Sequence, residues 1–310
     1  MERHVTIVGA GAMGHGLAVH FSISGWDVTL VDHRRANLER ARDRIETVTA
    51  FLHDRDLTGA SPADALDRIE FTLDQRAAVA SSGFVVETIS EDLDAKRALF
   101  EALAPVAPDD AILASNTSSL SITDIAEAAP DCADRIVGCH WWFPPYLLEP
   151  VEVVRGAETS ETTVDRLCER LESVDRSPIV VERDVPGFVW NRVQFAVVRE
   201  CLHIVESGIA SPEAVNEAIR DGYARRTAAV GPLETIDLAG LELFATIADE
   251  LYPELATDDE PQACFEEYVE AGRTGLDAGA GFFEYDDEPE DVTRRRDERI
   301  AAITRALDSR

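Results

Sequence analysis

From Val5 to about Val181, short β-branched apolar runs alternate with longer amphipathic stretches, the pattern of a sheet covered by helices on both faces. The runs predict strands at Val5–Val8, Val28–Val31, Ile69–Thr72, Phe84–Glu87, Ala111–Ala114, Ile136–Cys139, Val151–Val154 and Pro178–Val181, and the intervening helices predict parallel pairing. Between the second and third strands, the arginine- and acid-rich segment Arg34–Asp67 reads as one long helix and then a short one opening at Ser61-Pro62. Asp184-Val185-Pro186-Gly187-Phe188 breaks the pattern. Beyond it, helical periodicity takes over in Val189–Glu206, Pro212–Arg220, Leu233–Leu251 and Gln262–Ala271, followed by a glycine-rich loop, Gly272–Tyr285, and a charged C-terminal helix. The prediction is an α/β fold: a Rossmann-type doubly wound sheet over residues 1–184 and a smaller all-α domain over residues 185–310.

Composition narrows the partners. With 60 acidic and 29 basic residues and a net charge of -31, the chain repels nucleic acid and anionic membranes. The carboxylates are spread along the sequence rather than gathered in a tail, which reads as adaptation to molar salt, where counterions screen self-repulsion. Only one lysine survives, Lys96, just after an apolar strand, so a specific task is expected of it. The five cysteines, 132, 139, 168, 201 and 264, show no spacing that would chelate a metal, and no metal is expected. Met1 runs almost directly into a strand, leaving no room for a leader, and no apolar stretch approaches the ~20 residues of a membrane helix. A cytoplasmic protein is expected.

Val5-Thr6-Ile7-Val8-Gly9-Ala10-Gly11-Ala12-Met13-Gly14 is strand, then Gly-x-Gly-x-x-Gly, then the start of an apolar helix. Gly9 permits a tight turn, Gly11 lets backbone approach a pyrophosphate, Met13 lies within the motif, and Gly14 lets helix pack on strand. Asp32, at the end of the next strand, is placed to accept hydrogen bonds from a ribose. A carboxylate there repels a 2'-phosphate and favours NAD over NADP, although Arg34 and Arg35 follow closely and offer such a phosphate some compensation.

Polar residues gather at three further strand ends. Ser115-Asn116-Thr117-Ser118-Ser119 follows the fifth strand, His140 ends the sixth, and Glu152 lies on the seventh. Oxidising a secondary alcohol by hydride transfer needs a base for the hydroxyl proton and a group to fix the base's tautomer. His140 and Glu152 suit those two roles.

These stretches, with Pro186-Gly187-Phe188-Val189-Trp190-Asn191-Arg192, Gly231-Pro232-Leu233 and Gly281-Phe282-Phe283, resemble the L-3-hydroxyacyl-CoA dehydrogenase family over nearly the whole chain. The resemblance implies His140 as catalytic base with Glu152 as its partner, and Ser119 and Asn191 around the reacting oxygen. It also implies Glu91 and Lys96, with Ser119, beside the nicotinamide half of NAD, an acyl-CoA substrate, and a homodimer joined through the helical domain. Two positions depart from the pattern. Phe143 stands where the family usually has asparagine, and Asp277 aligns where it commonly has lysine. Gulonate and carnitine dehydrogenases and lambda-crystallin, which act on or resemble enzymes of small free hydroxy acids, are the competing likeness, with a non-catalytic NAD-binding relative as a third.

Overall fold

The structure, a computed structural model, describes residues 3–308. The chain forms two compact units, Met1–Arg192 with Arg296–Arg310, and Val193–Arg295.

The first unit is built on β1 (His4–Val8), α1 (Ala12–Ile23), β2 (Asp27–Val31), α2 (Arg35–His53), α3 (Pro62–Asp67), β3 (Ile69–Thr72), α4 (Gln75–Ala80), β4 (Phe84–Glu87), α5 (Leu93–Leu103), β5 (Ile112–Ser115), α6 (Ile122–Ala126), β6 (Ile136–Trp141), β7 (Pro150–Val154), α7 (Glu161–Glu172) and β8 (Ser177–Val181). All eight expected strands form, in the order β3-β2-β1-β4-β5-β6-β7-β8. The order reverses between β1 and β4, the switch point at whose carboxyl edge ligands bind in open α/β sheets. Both faces of the sheet are covered: Ile7, Leu30, Phe84 and Val137 pack with Leu17 and Phe21 of α1, while Val85, Leu113 and Ile136 pack with Phe100 of α5 and Ile125 of α6.

Some details differ from expectation, and the sixth strand runs to Trp141, two residues past Cys139, which places His140 inside it. The fifth strand lies one residue further along, so Ser115 rather than Ala114 is its last residue. The pairing is not all parallel: β6 and β7 are antiparallel, and β8 is parallel to β7. The cause is the connection between β6 and β7, which holds no helix and is too short for a crossover of the dozen or more residues a parallel pair needs.

The second unit is helical. α8 (Trp190–Glu206) carries the chain into it, and α9 (Pro212–Glu217), α10 (Ala224–Thr227), α11 (Pro232–Ala239), α12 (Leu241–Leu251) and α13 (Ala263–Glu270) follow. The helix expected over Leu233–Leu251 is two helices, because Gly240 adopts φ +101°, outside any helical region. α14 (Pro289–Asp308) begins in this unit, yet its later residues group with the first, whereas the sequence had assigned the whole tail to the helical half. Two contacts explain the return: Tyr146 donates its hydroxyl to Asp297 at 2.9 Å, and Ala301 is buried in the core of the first unit.

Candidate active site

The glycine loop sits at the carboxyl end of β1. A Cβ on Gly9, which has φ +112°, would come within 2.6 Å of the Thr88 carbonyl oxygen, and one on Gly14 within 1.8 Å of the Gly9 oxygen, so the strand-to-helix turn closes only with glycine. At Gly11 the reason differs: a Cβ would meet no protein atom within 4 Å, which leaves the backbone open to a ligand. No side chain caps α1 and its first turn holds no acid, despite the chain's surplus of carboxylate. An uncapped helix end with free N–H groups suits a pyrophosphate. Asp32 is buried at the end of β2, accepting from the Ala10 amide at 3.0 Å through Oδ2 and from the Arg34 amide and Asn37 side chain, each at 2.9 Å, through Oδ1. A carboxylate has about four lone-pair positions, so this one retains acceptor capacity for a ribose. The loop, the open helix end and the carboxylate fit an NAD molecule extended across the sheet edge.

His140 and Glu152 are register partners across the β6–β7 ladder, so their side chains rise on one face. His140 Nδ1 and Glu152 Oε2 lie 2.7 Å apart. Both groups are sequestered, Glu152 completely. Its other oxygen, Oε1, accepts from the amides of Val189 and Trp190 at 2.8 and 2.9 Å, and Trp142 Nε1 approaches Oε2 at 3.4 Å. Burial pushes the Glu152 carboxyl up, but the hydrogen bonds from His140 and the two amides outweigh it and hold the group below the ordinary carboxylate range. An ionised carboxylate only accepts, so Nδ1 carries the proton of this hydrogen bond, and in the neutral ring the lone pair lies on Nε2. Among the described residues Nε2 has no hydrogen-bond partner.

Ser119 lies on the exposed turn after β5, held by Glu91, whose Oε1 accepts from Thr117 Oγ1 at 2.6 Å, the Ser118 amide at 2.7 Å and the Ser119 amide at 3.1 Å. Burial raises the Glu91 carboxyl, while the Thr117 hydroxyl, the Ser118 amide, Lys96 and the Ser119 amide bring it below its usual value. Asn191 Nδ2 donates to the Ser118 carbonyl at 2.9 Å, which ties Asn191 to the same turn. Asn116 Oδ1 accepts from the Trp141 amide at 2.8 Å and links this turn to the end of β6. His140, Glu152, Ser119 and Asn191 therefore belong to one connected strand-edge assembly.

Lys96 does not stand on the surface. It is 1% exposed, with Nζ 2.6 Å from Glu87 Oε1 and 3.5 Å from Glu91 Oε2. Glu87 was not singled out in the sequence, because a carboxylate ending an apolar strand reads simply as the strand's polar boundary. The two departures part company. Asp277 lies in the second unit, in a short turn between Gly275 and Gly279. Phe143, 46% exposed, stacks beneath the Arg296 guanidinium, 4.9 Å from ring centre to Cζ. Arg296 also escaped the sequence reading, lost among the charges of the terminal helix. The described residues contain no group of His, Cys, Asp and Glu able to hold a metal ion, and no helix long and apolar enough to cross a membrane.

Residues 4–185 match the family model for the 3-hydroxyacyl-CoA dehydrogenase NAD binding domain, and residues 187–285 match that for the 3-hydroxyacyl-CoA dehydrogenase C-terminal domain. The chain is 31% identical to 5-formyl-3-hydroxy-2-methylpyridine 4-carboxylate 5-dehydrogenase of Mesorhizobium japonicum, with both proteins covered in full. The crystal structure of a dehydrogenase of that description, called an NAD+ dependent dismutase, superposes with a TM-score of 0.92 at 30% identity. A probable 3-hydroxybutyryl-CoA dehydrogenase of Deinococcus radiodurans is 35% identical over 90% of this chain and 99% of its own. The (S)-3-hydroxybutyryl-CoA dehydrogenase of Ralstonia eutropha superposes with a TM-score of 0.75 at 31% identity, covering 93% of this chain and 100% of its own. L-carnitine dehydrogenase of Streptomyces griseus is 38% identical over 77% of this chain and 70% of its own.

Proposed function

The chain belongs to the 3-hydroxyacyl-CoA dehydrogenase family and is an NAD-dependent oxidoreductase of CH–OH groups, and from that premise we propose that its substrate is a small free carboxylic acid bearing the reacting hydroxyl. NAD, when bound, supplies the hydride acceptor. His140 Nε2 takes the hydroxyl proton as the C–H bond gives up its electron pair, and Glu152 stabilises the imidazolium that forms. Ser119 and Asn191 hold the reacting oxygen. Asp32 and the glycine loop hold the adenosine half and pyrophosphate of the cofactor, and Glu91 and Lys96 support its nicotinamide half.

The observation that carries the substrate class is Arg296 over Phe143. Phe143 lies three positions beyond His140 in the sequence, and the returning tail sets a guanidinium on its ring. Arg296 Nε and Nη2 bond Asp297 Oδ1 at 2.8 and 2.6 Å, and among the described residues Nη1 has no partner. An arginine stacked on the segment that follows His140 offers a guanidinium to a substrate carboxylate. Two relatives are named for free carboxylates, a pyridine carboxylate with a formyl group at the position named for dehydrogenation and L-carnitine, and they support the carboxylate part of that class. A coenzyme A thioester finds less support, because the one lysine is buried and cannot meet its phosphates. The thioester remains the second reading, favoured by the 3-hydroxybutyryl-CoA relatives.

Reduction of NAD, followed in molar salt with free hydroxy acids, their methyl esters and 3-hydroxybutyryl-CoA, separates the readings. For the free acid, Arg296→Gln is expected to raise KM about tenfold, the loss of roughly one charge-assisted hydrogen bond. A thioester preferred over every free acid, with kinetics indifferent to Arg296→Gln, would overturn the proposal. We further propose a homodimer formed through α11 and α12, which bury no residue and expose Leu233, Leu238 and Leu241.

A further inference from the structure

Glu87 takes no part in the chemistry described so far, yet both of its oxygens are held on the catalytic edge. It ends β4, between the glycine loop of β1 and the Ser119 turn of β5, and is 1% exposed. Oε1 accepts from Lys96 Nζ at 2.6 Å and from the Ile89 amide at 2.7 Å. Oε2 accepts at 2.6 Å from the hydroxyl of Ser115, its register partner on β5.

These contacts close into a ring. Ser115 Oγ accepts from the Thr117 amide at 3.3 Å, Thr117 Oγ1 donates to Glu91 Oε1 at 2.6 Å, and Glu91 Oε2 faces Lys96 Nζ at 3.5 Å, which leads back to Glu87. The Ser118 and Ser119 amides hang from Glu91, and the Ser118 carbonyl anchors Asn191. The ring holds two carboxylates and one ammonium. While Glu87 neutralises the buried ammonium at short range, Glu91 Oε1 is left to the turn; without Glu87, the ammonium would draw Glu91 away from it.

We propose that Glu87 is a positioning residue, which sets the Ser119 turn through Ser115 on one side and through Lys96 and Glu91 on the other. The inference rests on the reading of Ser119 given above. Glu87 itself, 1% exposed, acts through Ser115 and Lys96.

A double-mutant cycle tests it. Glu87→Gln removes the charge, and Ser115→Ala breaks the other side of the ring without disturbing the ion pair, so the second variant decides the matter should the first not fold. Each is expected to lower kcat between about tenfold and a hundredfold, the scale set by displacing a reacting group by about 1 Å, with NADH affinity and melting temperature measured alongside. In a background carrying both Ser119→Ala and Asn191→Ala the same substitutions are expected to cost less than about twofold, because the residues that the turn positions are already gone. Equal losses in both backgrounds would overturn the proposal in favour of general support of the fold, as would no loss in the native background. Wild-type turnover of Ser119→Ala itself would instead overturn the site reading on which the proposal stands.

Discussion

The two units of this chain solve opposite problems. In the first, strands buried on both faces close their own core, and Val5, Ile7, Leu30, Phe84, Ile112 and Val137 are at most 0% exposed. In the second, Leu202, Val215, Ala256 and Cys264 are the buried apolar residues, while Leu233, Leu238, Leu241, Leu243, Ile247 and Tyr252 stand open. The first unit carries every residue to which chemistry is assigned here. The second presents apolar surface beyond what a solitary soluble domain normally shows. One unit is finished by its own sequence, and the other leaves uncovered the apolar face through which the proposed homodimer would form.

The contrast breaks most visibly through His140. His140→Gln should lower kcat by about two to four orders of magnitude, the usual worth of a positioned general base, while NADH affinity and molecular mass stay unchanged. A parallel collapse of NADH affinity would make His140 a support of the cofactor site instead. The complementary lesion lies in the second unit. Leu238→Glu, at a position 74% exposed, should halve the mass measured by sedimentation in molar salt without altering NADH affinity. An unchanged mass would mean that these helices are not the contact.

The smallest effect concerns acid. The Glu152, Glu91 and Asp184 carboxyls are raised by burial but pulled below their ordinary values by their donors, which for Asp184 are the Thr123 amide and the Ser121 hydroxyl. A depressed folded value means that each contributes stability above its unfolded value, lost as pH falls through the folded one. All three belong to the first unit, so its unfolding should steepen below about pH 4. Asp184→Asn should flatten that limb of a melting-temperature profile; an unaltered profile would show that Asp184 does not contribute.

Much of this was legible in the residues, and the exceptions share a cause. Strand positions followed from apolar runs because a strand buried on both faces has few other ways to be written. His140 and Glu152 stood out as types, yet their pairing depends on an antiparallel register that no local pattern encodes. Lys96 stood out by rarity, but whether an ammonium meets solvent, cofactor or carboxylate is set by what the fold brings beside it. Glu87 and Arg296 were invisible for the same reason: one is a strand's last residue and the other a charge among charges until Ser115 and Phe143 are placed against them.

The sealing of the only lysine also gives the folded chain an unusual reactivity profile. Amine-directed reagents find a single side chain to attack, and it is closed off in the Glu87 ring. Acylation at Lys96 must wait for a local opening, so its rate, read at that residue apart from the α-amino group, counts how often the catalytic edge comes apart with no competing lysine to obscure the signal.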